Sequence, residues 1–89
     1  IFTERNSPNF DTRAGHNVDM LVLHYTGMRT GREAIERLCS AEAKVSAHYV
    51  VEENGEVFRL VPETARAWHA GVSKWRGHDN INQRSIGVE

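Results

Sequence analysis

The side chains able to carry chemistry here are scattered: His24, His48, His69, Glu89, Cys39, and Trp68 beside His69. An imidazole ligates metals or moves protons near neutral pH. His24 closes the apolar run Met20-Leu-Val-Leu23, and α/β sheets hold ligands beyond the carboxyl ends of their strands. A single histidine at a strand end is also commonly a hydrogen-bonded core residue, so spacing alone leaves both roles open. His48 shares a strand face with Ser46 and Val50, and its default role is structural. His69 lies in Ala67-Trp-His-Ala-Gly71, a glycine-bounded loop of the kind where binding residues collect. Trp68 suits either a core or a stacking platform. His16 and His78 fall in polar stretches and read as solvated.

Glu89 ends the apolar segment Ile86-Gly-Val88. A carboxylate there is costly to bury unless it is paired or functional, and turning out to solvent is the plainer alternative. Glu52-Glu53 reads as a solvated acidic pair, and Cys39, on the apolar face of a helix, as a small buried residue. Five histidines among acidic residues are compatible with zinc, but no His-Glu-x-x-His pair is present. Composition and spacing end at an α/β domain with a candidate metal site.

The elements that must position these residues follow from the pattern. Val18–Tyr25 reads as a central strand buried on both faces, ended by Thr26-Gly27. Thr30-Gly-Arg-Glu33 fits a capping box, and Ile35, Leu38 and Cys39 share a face, giving a helix over about 31–42 with a Glu33–Arg37 pair. Asn54-Gly55 separates two β-rich runs, 45–52 and 57–61. A type I′ turn there would set Glu52 opposite Val57 and Val50 opposite Arg59. Pro62–Ala65 opens a short turn, 70–84 reads as loop, and 1–17 as an irregular lead-in.

Eighty-nine residues make one small domain at most. A net charge of −1 lacks the basic excess that nucleic acid or an anionic membrane surface requires. A lone cysteine excludes an internal disulfide, and no apolar run approaches a membrane span. Mean hydropathy is −0.55, which reads as a soluble globular chain. The sequence stops at Glu89 inside an apolar run, so the chain is expected to be part of a larger domain.

Four segments, in order, resemble one family: Leu21-Val-Leu-His-Tyr-Thr-Gly27, Val45-Ser-Ala-His-Tyr49 leading to Glu53-Asn-Gly55, Arg66-Ala-Trp-His-Ala-Gly-Val-Ser73, and Ser85-Ile-Gly-Val-Glu89. They are similar to the zinc-dependent N-acetylmuramoyl-L-alanine amidases of the AmpD-like type, whose fold is shared with phage lysozyme-amidases and peptidoglycan recognition proteins. The resemblance implies a mixed β-sheet flanked by helices. It implies cleavage of the amide between the lactyl group of N-acetylmuramic acid and L-alanine, in peptidoglycan or a released muropeptide. It matches His24 to the first zinc ligand, Glu89 to the general base, and Trp68 and His69 to a segment near the substrate groove. It makes residues 1–89 the N-terminal portion of a single amidase domain, whose C-terminal remainder would supply the other ligands. Some phage relatives carry a catalytic tyrosine where this chain has Val50, so no such role carries over. A non-catalytic peptidoglycan-binding module is the alternative, because members of that kind have lost a zinc ligand. A bacterial envelope or cytoplasmic location is left open.

Overall fold

The structure is a computed structural model and describes residues 2–25 and 27–89; Thr26 of the expected strand end lies outside them. The lead-in is not irregular throughout. It holds β1 (Thr3–Glu4) and β2 (Phe10–Thr12). Next come β3 (Met20–Leu23), α1 (Gly31–Leu38), β4 (Tyr49–Val51), β5 (Val57–Arg59) and β6 (Ala65–Ala67). The segment read as loop contains a small hairpin, β7 (Lys74–Trp75) and β8 (His78–Asp79), and a 3-10 turn, Ile81–Arg84. Arg76 and Gly77 between β7 and β8 both take positive φ, 49° and 81°, as a tight hairpin turn requires. β9 (Ser85–Val88) ends the order.

Among the described residues the main sheet has the order β1-β5-β4-β9-β3. β9 runs parallel to both β3 and β4, while β4 and β5 are antiparallel. The expected mixed sheet is therefore present, with α1 packed on it through Ala34 and Leu38.

Three local expectations need correction. β3 is not a central strand buried on both faces. It is the last strand of the sheet among the described residues, and Leu21 and Leu23 are 65% and 74% exposed. An unbroken apolar run reports composition, not which face is covered. The helix stops at Leu38 with Cys39 as its cap. Thr30 caps its start by accepting from the Glu33 amide at 3.1 Å. The Glu33 carboxylate pairs with Arg29, and Arg32 with Glu36, so the expected Glu33–Arg37 pair does not form and Arg37 turns elsewhere. The hairpin forms where expected but its register is one residue away: Val51 opposes Val57 and Val50 opposes Phe58. The Gly55 amide bonds the Glu52 carbonyl at 2.9 Å and the Glu52 amide bonds the Glu56 carbonyl at 2.8 Å. Only Gly55 takes positive φ, +89°, so this is a type I turn with a glycine bulge, which inserts one residue relative to type I′.

Leu38, Val50, Phe58, Leu60 and Val61 form the centre of the core. Each such side chain contributes about 1.5–3 kcal/mol on burial. Beside them lies a satisfied polar layer. Asn9 Nδ2 donates to the Ser40 and Val45 carbonyls, both at 2.8 Å, and Ser46 Oγ accepts from the Trp68 amide at 2.9 Å. Arg13, 5% exposed, donates to the carbonyls of Glu63, Asn82 and Gln83 at 2.9, 3.2 and 3.1 Å. That guanidinium ties the lead-in to the turns before β6 and β9.

Candidate functional site

Parallel strands deliver their carboxyl ends to one edge. The His24 amide donates to the Val88 carbonyl at 2.8 Å, continuing the β3–β9 ladder past its last pair. Glu89 is held on the other side, its amide donating to Tyr49 O at 2.9 Å and its carbonyl accepting from Val51 at 2.7 Å. His24 and Glu89 therefore leave neighbouring strands at the same edge. Both line a cavity of about 190 Å³, with Trp68, His69 and Arg37 on its walls, and both also line a wider cleft running toward Glu52 and Glu53.

Glu89 is half-buried, and burial raises its carboxyl pKa above the ordinary value, against the opposing charges of His24 and Arg37. Arg37, freed from the expected helix pair, faces this cavity instead.

His69 is the hub of the histidines. Its Nδ1 lies 2.9 Å from His24 Nε2, its Nε2 lies 2.8 Å from Ser85 Oγ, and its backbone amide donates to Asn82 Oδ1 at 3.1 Å. The two rings meet edge to face with centroids 5.0 Å apart. Burial, then repulsion from His24, His48 and Arg13, pushes its pKa down to about 4, so His69 is neutral at pH 7. His48 is fully buried and structural: Nδ1 accepts from the Gly87 amide at 3.1 Å and Nε2 faces the Ala65 carbonyl at 2.9 Å. Because that nitrogen carries the proton, Arg13 packs beside it at 3.0 Å rather than donating to it. Burial is the main cause of a lowered His48 pKa.

The remaining candidates separate cleanly. Trp68 is half-buried and forms one wall of the cavity. His16 and His78 are exposed, and burial raises the thiol pKa of half-buried Cys39. Among the described residues no three His, Cys, Asp or Glu side chains come together as a metal cluster. The sequence reading missed Ser85, Asn82, Arg13 and Arg37. A signal for one existed: Ser85 and Gly87 alternate on one face of β9, and small residues in a strand mark a close neighbour.

A model of the N-acetylmuramoyl-L-alanine amidase family matches residues 14–89. The chain belongs to that family. It is 34% identical over 101 residues to the 1,6-anhydro-N-acetylmuramyl-L-alanine amidase AmpD of Citrobacter freundii, covering 93% of this chain and 54% of that protein. It is 37% identical over 98 residues to the N-acetylmuramoyl-L-alanine amidase AmiD of Escherichia coli K12, covering 97% and 34%. A crystal structure of AmpD superposes with a TM-score of 0.80 at 28% identity, covering 98% of this chain and 59% of that one. AmiD of E. coli, solved with anhydro-N-acetylmuramic acid-L-Ala-D-γ-Glu-L-Lys, superposes with a TM-score of 0.71 at 35% identity, covering 94% and 33%. The chain spans about half the length of the AmpD relative and a third of AmiD. The amidase fold is thus established for this chain.

Proposed function

We propose that this amidase-family chain carries the proton-transfer half of a zinc-dependent amidase site. The reaction is hydrolysis of the amide between the lactyl group of N-acetylmuramic acid and L-alanine, in peptidoglycan or muropeptides. The observation that carries the reading is the pairing of His24 with Glu89 at the carboxyl edge of parallel β3 and β9, in a chain of this family. The AmiD structure was solved with a substrate of this class, which supports the assignment.

The donor set suits zinc in part. His24 offers an imidazole whose Nε2 lies 2.9 Å from His69 Nδ1. Among the described residues no three metal-binding side chains come together, and this reading assigns the remaining donors to the rest of the domain. Zinc, when bound, supplies a Lewis acid that polarises a carbonyl and makes water acidic enough to react near neutral pH. Glu89 acts as the base: it takes a proton from the attacking water and returns it to the departing alanine nitrogen. Its partial burial raises its basicity for that task. Arg37 supplies positive charge in the same cavity, where the substrate's carboxylates can approach. Trp68 offers an apolar wall against which the sugar or stem peptide packs, and His69 lies behind it.

The test is muramoyl-L-alanine cleavage by the full-length protein together with its zinc content. Wild type is expected to hydrolyse the amide, and His24→Ala to lose both zinc and turnover. A wild type that binds muropeptide without cleaving it would favour the binding module. Stoichiometric zinc in His24→Ala would remove His24 from the ligand set.

A further inference from the structure

We propose that His69 is a positioning residue: it accepts the His24 Nε2 proton and so fixes His24 in the tautomer whose Nδ1 is bare for metal binding. The inference rests on the reading of His24 as a zinc ligand and deepens it.

The proton positions are set from the far end of the chain of contacts. Ser85 Oγ lies 2.8 Å from the Ile81 carbonyl oxygen. Two oxygens that close need a hydrogen between them, and the hydroxyl holds the one available. Ser85 therefore donates to Ile81 and has only lone pairs left for His69. At 2.8 Å from Ser85 Oγ, His69 Nε2 must carry the proton. A neutral imidazole has one such proton, so His69 Nδ1 is an acceptor. His24 Nε2, 2.9 Å away, then supplies the hydrogen, and His24 Nδ1 is left with its lone pair. Each contact determines the next, and the direction of the relay is fixed by a backbone carbonyl.

The ring of His69 is also held in place mechanically. A Cβ on Gly87 would lie 2.4 Å from its Cγ and 2.8 Å from its Nδ1, so the ring rests directly on the β9 backbone. Asn82 Oδ1 accepts both the His69 and Ala70 amides, at 3.1 and 2.9 Å, which anchors the main chain on either side. Metal-binding histidines generally have their second nitrogen held by an acceptor, most often a carboxylate or carbonyl. Here a second histidine, itself oriented by a serine, occupies that place.

Nitrogen NMR of histidine-labelled, metal-free full-length protein reads the tautomer directly. The expected result is His24 protonated on Nε2 with Nδ1 unprotonated, and His69 protonated on Nε2. His24 protonated on Nδ1 in the wild type would overturn the proposal. Titration with Zn²⁺ alone then tests the consequence. His69→Leu removes the acceptor and should weaken zinc affinity about 10–100-fold, the range for such supporting contacts. His69→Asn sets a carbonyl oxygen near the position of Nδ1 and should recover most of that loss. Equal zinc affinity in wild type and a folded His69→Leu would overturn the positioning role. His24→Ala separates the two readings: if zinc binding survives it, the ligand assignment fails whatever the NMR shows.

Discussion

The ring of His69 fills the volume that a Cβ on Gly87 would occupy, 2.4 Å from its Cγ. The sheet is therefore cut away at one residue of β9 to let a histidine lie against its backbone, below His24. Gly87→Ala should force that ring to shift. The expected loss is about 1–3 kcal/mol, as for other overpacked sites. Denaturant unfolding measures it, and the nitrogen resonances of His24 should move with it. An alanine variant as stable as wild type, with His24 unperturbed, would mean that the ring has room to move.

Buried neutral histidine makes the fold sensitive to acid. The His48 pKa is lowered from 6.5, chiefly by burial, so the unfolded chain takes up a proton that the folded chain refuses. Stability from this group is full above about pH 6.5 and is lost as pH falls from there toward the folded value. His48→Asn keeps an acceptor for the Gly87 amide but does not titrate. The stability advantage of wild type over His48→Asn should shrink between pH 7 and pH 5. Melting temperatures of the two proteins over that range provide the check, and a constant difference would contradict it.

Arg13 joins elements distant in sequence by donating to three carbonyls from a site only 5% exposed. Arg13→Met preserves most of the stem and leaves those carbonyls without their donor. Unpaired buried acceptors cost about 1–3 kcal/mol each when water cannot reach them; only the Asn82 contact is fully buried, so the variant should lose about 1–3 kcal/mol. The turn Ile81–Arg84 and the start of β9 should lose hydrogen-exchange protection first, because two of the carbonyls belong there.

Much of this architecture is legible in the residues. Thr30 and Glu33 announce the helix start, Asn54-Gly55 the hairpin, and Ser85–Val88 a strand. What the sequence does not carry is relative placement. Asn-Gly is compatible with two turn types that differ by one residue in register, and the backbone here puts only Gly55 at positive φ. Met20–Leu23 is apolar throughout, yet whether Leu21 and Leu23 are covered depends on what packs outside β3. β1 and β2 are too short and polar to show a period, since their pairing partners β5 and β6 lie more than fifty residues away. At the site, His24 and Glu89 can be raised as candidates from their strand ends, with a plainer role left open for each. The relay through His69 and Ser85 cannot, because it depends on contacts spanning 45 and 16 residues.

Glu89 decides between hydrolase and binding module. Its backbone is fixed on both sides, so its carboxyl is presented to the cavity by the sheet rather than by a flexible tail. Glu89→Gln retains shape and loses the proton acceptor, so zinc content and muropeptide affinity of the full-length protein should stay near wild type. Turnover should fall by roughly 10²–10⁴-fold, the usual contribution of a general base. A structural role would give a different pattern. The carboxyl is half-buried, so an amide mismatched to its surroundings would lower the melting temperature before it lowered the rate. Measuring cleavage, zinc and melting temperature on the same pair of proteins distinguishes these outcomes. An active wild type with an equally active, equally stable glutamine variant would take Glu89 out of the mechanism and leave the base to another residue of the domain.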